Sequence, residues 1–350
     1  MEHSKTQFRA AIIGLGFVGA GDQVSGNAIG GQQVSALDGT HVEAFLKNPR
    51  FKLVAGSSRD AGRRERFTQR TGIKTYSDWR ELLDREKPEI VSIATYAPSH
   101  AEITTACADR GVRVIYCEKP IATRLTDAEQ MLSSCEKAGA LLIINHNRRF
   151  NINYRRLRDE IAKGVLGELT SASLRWGSGR LGNIGTHLID ALCMLTGRNI
   201  EAVFGTLDLS AKTDCRGAEF SDPGGWGLMR LSGGLMVTVD AANHGTGAMQ
   251  IIIYGQKARA IVGRDTLSIE FPDGRIEQCP CLSKNATSMD LAVAEIADWL
   301  DKNKLFPYSA ADAIKTLESI MAFHVSDNRG NCWVDLPLTG SDRDCEVRSG

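Results

Sequence analysis

The chain has 350 residues, 42% hydrophobic and 24% charged, values of a globular protein long enough for two cores. Lysine plus arginine equals aspartate plus glutamate at 42 each, so no global field draws the chain to nucleic acid or anionic lipid, and neither partner is expected. The N-terminus lacks the apolar region of an export signal, no run of about 18 apolar residues predicts a membrane span, and nine cysteines, an odd number, fit reduced thiols, so a cytoplasmic location is expected.

Up to about residue 145, short apolar runs alternate with helix-like segments. The runs are 10–13, 52–55, 90–94, 112–117 and 141–144, the pattern of a parallel sheet with crossover helices. A helix is predicted over 41–46. Ser77 is placed to cap a helix at 79–83, Gly111 to stop one at 101–110, and Thr126 with Glu129 has capping-box spacing. Beyond Asn145 the pattern becomes one helix over 154–163, stopped by Gly164, and then strands joined by tight turns. Ser232-Gly233-Gly234 separates 228–231 from 235–239, and Asp273-Gly274 separates 267–271 from 275–278; both predict antiparallel hairpins. Two late helices are predicted at 289–302 and 310–324. The chain therefore divides into domains 1–145 and 146–350. Cys279-Pro280-Cys281 has no His or Cys cluster at metal-binding spacing beside it, so no metal is expected.

The first strand runs directly into Gly14-Leu15-Gly16-Phe17-Val18-Gly19. In this Gly-x-Gly-x-x-Gly spacing Gly14 permits a tight turn, Gly16 admits a pyrophosphate to the backbone, and Gly19 allows helix and strand to pack closely. Its place after the first strand of an alternating series predicts dinucleotide binding by residues 14–19, Phe17 and Val18 included. The segment 20–40, rich in Gly, Gln, Ser and Asn, reads as an inserted loop, either a surface excursion or a flap over the site. The second strand runs into Ser57, Ser58 and Arg59. Hydroxyls and a guanidinium suit the 2′-phosphate of NADP, while Asp60 keeps NAD open as the alternative. Lys119, in Glu118-Lys119-Pro120, follows the fifth strand and so lies in the crevice beyond the carboxyl ends of the sheet.

With these pieces in order, the chain resembles the glucose-fructose oxidoreductase and inositol dehydrogenase family, Gfo/Idh/MocA. The resemblance rests on 14–19, Ala94-Thr95 through His100-Ala101-Glu102, Glu118-Lys119-Pro120, Asn147-Arg148-Arg149-Phe150 and Gly185-Thr186-His187-Leu188-Ile189-Asp190. It implies an α/β protein: an N-terminal Rossmann domain with a doubly wound parallel sheet, and a C-terminal α/β domain with an open, mainly antiparallel sheet that forms a homodimer or homotetramer interface. It also implies hydride transfer between NADP, or NAD, and a sugar, sugar derivative or cyclitol. Lys119 and His187 are the implied catalytic residues, Thr95, His100 and Glu118 join the cofactor side, and Arg148 and Asn183 join Lys119 and His187 around the substrate. Two departures stand out: Asn183 replaces an aspartate common four residues before the histidine, and Tyr96-Ala97 replaces a common Pro-Asn. Related readings are glycoside hydrolysis through tightly bound NAD and a non-catalytic nicotinamide-binding regulator. His41 and His146 read as structural, Asp190 as orienting His187 or pairing with a neighbour, and Trp176 and Trp226 as core or sheet-face residues.

Overall fold

Phe8–Ile13 (β1) is apolar from Ala10 onward because a central parallel strand is covered on both faces, and these residues are fully buried. The computed structural model describes residues 7–22, 38–210, 220–243, 249–279, 286–302 and 304–349. Most of the 20–40 segment lies outside the described residues, as do Cys281 and its neighbours. Two compact units emerge: residues 1–122, 126–147 and 286–311 form the first, and 123–125, 148–285 and 312–350 the second.

In the first unit, β1 leads through α1 (Phe17–Ala20) and α2 (His41–Lys47) to β2 (Phe51–Ser57). There follow α3 (Ala61–Thr71), β3 (Thr75–Tyr76), α4 (Trp79–Glu86), β4 (Ile90–Ile93), α5 (His100–Asp109), β5 (Val114–Cys117), α6 (Leu125–Ala138) and β6 (Leu141–Ile144). The six strands are parallel in the order β3-β2-β1-β4-β5-β6. That order reverses direction between β1 and β4, the point where such sheets bind ligands.

The helix signals resolve differently in detail. Asp78, not Ser77, caps α4, accepting from the Arg80 amide at 2.9 Å; a carboxylate one residue nearer the helix outcompetes the serine hydroxyl. α6 begins at Leu125, so Thr126 and Glu129 lie inside it, and the capping box sits instead at Thr287 and Asp290. Gly111, at φ +74°, follows the end of α5 as expected.

The second unit holds α7 (Ile152–Ala162), β7 (Leu169–Arg175), a π-helical turn at Leu181–Gly185 and α8 (Thr186–Thr196). Strands β8 (Ile200–Asp208), β9 (Gly224–Leu231), β10 (Leu235–Ala241), β11 (Gln250–Gly255), β12 (Arg259–Val262), β13 (Leu267–Glu270) and β14 (Ile276–Cys279) follow. Next, α9 (Ser288–Leu300) belongs to the first unit, where it packs on α2 and where Arg50 reaches Asp298 and the Ala294 carbonyl. α10 (Ala310–Asn328) and β15 (Val334–Asp335) lie almost entirely in the second unit. The sheet of this unit runs β14-β13-β12-β11-β7-β10-β9-β8-β15, with only β7 and β10 parallel. Both expected hairpins, β9–β10 and β13–β14, are present.

Along β10 the alternation is regular: Leu235, Val237, Val239 and Ala241 are buried, and Met236 and Thr238 are exposed. Phe323 of α10 lies where Cβ atoms on Gly205 of β8 and Gly227 of β9 would be, 2.2 and 2.5 Å from its ring. No helix among the described residues is long and apolar enough to cross a membrane. Gly205→Ala forces this ring out of its groove and is expected to lower stability by about 1–3 kcal/mol. Urea denaturation checks this through a lower midpoint at unchanged slope.

Candidate active site

The phosphate turn is shaped by what its glycines exclude. A Cβ on Gly14, at φ +105°, would lie 2.4 Å from the Ala94 carbonyl oxygen, and one on Gly19 would lie 2.0 Å from that of Gly14. Around Gly16 the space is open, the nearest group being the Arg63 guanidinium at 3.5 Å. Gly16 is the N-cap of α1, and Phe17 and Val18 are its first two residues, whose amides have no intrahelical acceptor. Two closed glycine positions flanking an open one make a cradle that fits a pyrophosphate.

On the ribose side, Ser57 ends β2 and is buried, and Ser58 and Arg59 follow it. The Arg59 guanidinium lies 5.8 Å from the center of the exposed Tyr96 ring. Asp60 serves as the N-cap of α3; the Arg63 backbone N–H bonded to it, with Arg63's charge close by, holds its carboxyl below the usual range. Arg64 donates to the carbonyls of Ser58 and Arg59 at 2.7 and 2.9 Å, and Arg66 grips the buried Asp22 with two bonds of 2.8 and 2.7 Å. Arg63, 3.6 Å from Asp22, belongs to this basic edge and escaped sequence reading, because on a helix surface it looks like any solvated charge.

Lys119 is anchored through its neighbours. Glu118 is buried, and its Oε1 accepts from Asn145 Nδ2 at 2.6 Å and lies 2.9 Å from His41 Nε2, while its Oε2 accepts from the Lys119 amide at 3.2 Å. A carboxylate only accepts, so His41 Nε2 carries the proton, and the other ring nitrogen lies 2.6 Å from Ser92 Oγ. The Tyr116 hydroxyl donates to Asn145 Oδ1 at 2.7 Å, which turns the amide nitrogen toward Glu118. Burial alone pushes the Glu118 carboxyl up, but the His41 hydrogen bond, the charges of His41 and Lys119 and the Asn145 bond outweigh it and bring it down to about 2. Glu118 thus faces inward and supports Lys119 instead of presenting its carboxylate to a ligand. Thr95, at the end of β4, accepts from the Ser99 hydroxyl at 2.8 Å, and the buried His100 faces the carbonyls of Thr95, Pro120 and Ile121. Burial pushes the His100 imidazole pKa down against the pull of these carbonyls.

In the second unit His187 lies in the first turn of α8, half-buried between the buried Thr186 and Leu188. Asn183 is in the π-helical turn, so its four-residue spacing to His187 does not follow a continuous α-helix. Asp222 fixes that turn, accepting from the amides of Gly182 and Asn183 at 2.7 and 2.9 Å. The arginine pair separates by role. Arg149 is buried and forks onto Asp190 with bonds of 2.7 to 3.0 Å, its third nitrogen 3.1 Å from Asp312, whereas Arg148 stays half-exposed. Of the two readings of Asp190, pairing with a neighbour is the one seen, the neighbour being Arg149. Trp176 is core, and Trp226 is exposed on the sheet.

Residues 8–146 match the family model described as "Oxidoreductase family, NAD-binding Rossmann fold", and residues 154–261 match "GFO/IDH/MocA C-terminal domain". The chain belongs to the Gfo/Idh/MocA family. It is similar to myo-inositol 2-dehydrogenase of Thermotoga maritima, 26% identical over 210 residues, which cover 56% of this chain and 57% of that protein. The match thus spans a little over half of that relative. Among solved structures, the fold is shared with aldose-aldose oxidoreductase from Caulobacter crescentus complexed with glycerol (18% identity, TM-score 0.76, covering 94% of this chain and 100% of the other). It is shared equally with an inositol dehydrogenase homolog from Azotobacter vinelandii complexed with NADH and myo-inositol (18% identity, TM-score 0.75, covering 94% and 98%).

Within this Gfo/Idh/MocA member, Arg149→Met leaves the buried Asp190 carboxyl without its forked partner and is expected to cost about 3–5 kcal/mol, while replacing both partners with apolar residues recovers most of the loss. Thermal or urea unfolding of the three variants checks this. Because the folded-state pKa of Glu118 is depressed, its contribution to stability is present above about 4.5 and is lost as pH falls toward about 2. Glu118→Gln is expected to flatten the stability profile across that window.

Proposed function

We propose that the protein is an NADP-preferring dehydrogenase or reductase acting on a hydroxyl or carbonyl carbon of a sugar, sugar derivative or cyclitol. The observation that carries the reading is Lys119 at the carboxyl end of β5, anchored by Glu118 in the same unit as the Gly14–Gly19 phosphate cradle. When bound, the nicotinamide exchanges hydride with the substrate carbon. Gly14, Gly16, Phe17, Val18 and Gly19 hold the pyrophosphate, Ser57, Ser58 and Arg59 the adenosine ribose, and Thr95 the nicotinamide side. The Lys119 ammonium holds the substrate oxygen and favours negative charge developing on it. His187 takes or returns the hydroxyl proton, a task suited to imidazole near neutral pH, while Arg148 and Asn183 place the substrate.

NADP is favoured over NAD because Asp60 is engaged by α3 while Ser58 and Arg59 carry the donors a 2′-phosphate requires. Domains 1–145 and 146–350 would carry cofactor and substrate binding respectively. The exposed Trp226 and Met236 on the nine-stranded sheet support assembly of copies through that face. The seven described cysteines are free thiols, which suits the cytoplasm.

The test is nicotinamide absorbance of the purified full chain with NADP and then NAD, against sugars, sugar phosphates and cyclitols. Turnover with NADP is expected, with Lys119→Ala and His187→Ala each losing about 100-fold or more in kcat. Arg59→Ala is expected to reduce the NADP-over-NAD preference about tenfold. Absence of turnover across the panel overturns the reading.

A further inference from the structure

Two buried histidines from separate elements bracket the Lys119 backbone. On its amino side, His41 of α2 is fully buried, one ring nitrogen on Ser92 of β4 and the other on Glu118, whose second oxygen accepts from the Lys119 amide. On its carboxyl side, His100 of α5 is also fully buried, with Nδ1 at 3.0 and 3.2 Å from the carbonyl oxygens of Pro120 and Ile121, and Nε2 at 3.2 Å from that of Thr95. Neither ring opens to solvent, so catalysis through them directly is not available. Each instead lies between Lys119's flanking peptide and β4, His41 at Ser92 within the strand and His100 at Thr95 just after it.

The chemistry of the contacts separates this from simple packing. A phenylalanine would fill either ring volume, yet every polar atom of both imidazoles meets a polar atom. Glu118 would be a buried charge with one fewer donor without His41, and it would then seek solvent and pull the Lys119 amide with it. His100 joins two loops whose residues, Thr95 and Lys119, face the same end of the sheet. In its neutral form, which burial favours, His100 has one N–H to give; donated from Nδ1 it reaches the Pro120 and Ile121 carbonyls and holds the peptide that follows Lys119.

We propose that His41 and His100 are positioning residues that set the placement of the Lys119 ammonium, His41 through Glu118 and His100 through the carbonyls that follow Lys119. This rests on Lys119 being the group that meets substrate, and the test reads the lysine independently of turnover. A displacement of about 1 Å at such a group lowers kcat about 100-fold with little change in cofactor affinity.

The experiment is acetylation of the full chain with an N-hydroxysuccinimide ester, followed by peptide mass spectrometry. The labelling rate of Lys119 is compared with that of the exposed Lys137 in the same sample. In His41→Ala and His100→Ala the Lys119 rate is expected to rise at least about threefold as the side chain is released. His41→Gln and His100→Asn, whose amides restore a donor toward Glu118 and toward Pro120, are expected to return it close to the wild-type rate. Unchanged labelling in both alanine variants overturns the proposal, as does an equal rise in the alanine and amide variants, which would mean packing alone. Should an alanine variant not fold by thermal melting, Ser92→Ala removes the hydroxyl that orients His41, and unchanged Lys119 labelling there overturns the His41 half. A labelling response in a protein that turns over no substrate would sink the proposed reaction and leave the positioning intact; turnover without a labelling response would do the reverse.

Discussion

A carboxylate buried in a protein interior costs several kcal/mol unless donors surround it. Glu118 meets that condition by collecting His41 from α2, Asn145 from the residue after β6 and the amide of Lys119. Tyr116 then orients Asn145, and Ser92 orients His41, so four side chains from four parts of the chain are tied to one charge. Apolar packing tolerates sliding of a strand or helix, whereas a hydrogen-bonded charge does not. The lysine beside it inherits that rigidity.

The second unit uses the same physics with a different donor set. Arg149 and Asp190 form a forked pair deep under α8, and Asp222 clasps two amides of the π-helical turn just before it. Between these fixed points lie the half-exposed Asn183 and His187. A wide π turn is less well bonded than an α turn, and it persists here because a buried carboxylate occupies the amides it leaves.

Much of this was legible in the sequence, for physical reasons that also explain the gaps. Fully apolar runs separated by helices specify a buried parallel sheet, and Ser-Gly-Gly and Asp-Gly turns specify hairpins, so five strands of the first sheet and two hairpins of the second were readable from local pattern, while the two-residue β3 was too short to show. Gly14, Gly16 and Gly19 were readable because backbone sterics at a tight turn act over six residues. His41 was not: it contacts Glu118 across 77 residues, and nothing in the spacing of either announces the other. Arg149 and Arg148 are identical in type and adjacent, and only burial distinguishes the structural one from the half-exposed one. That Asp60 caps a helix was not legible, because capping is a property of where a helix starts, and α3 starts one residue after it.

The membership of α9 in the first unit has a consequence for how the protein is made. Met289 lies against Tyr116 and Asn145, and Arg50 reaches Asp298, so the N-terminal sheet is completed by residues synthesised about 150 positions after its last strand. Chains emerge from the ribosome at about 5–20 residues per second. The dinucleotide unit therefore waits many seconds for α9, with the face that α9 will cover still open. Its closing contacts are of high sequence separation, which slows folding as loop closure must come before they form. A polypeptide released before α9 would carry every motif of the phosphate cradle and still lack the Met289 thioether that meets Tyr116 and Asn145 behind Glu118's hydrogen bonds.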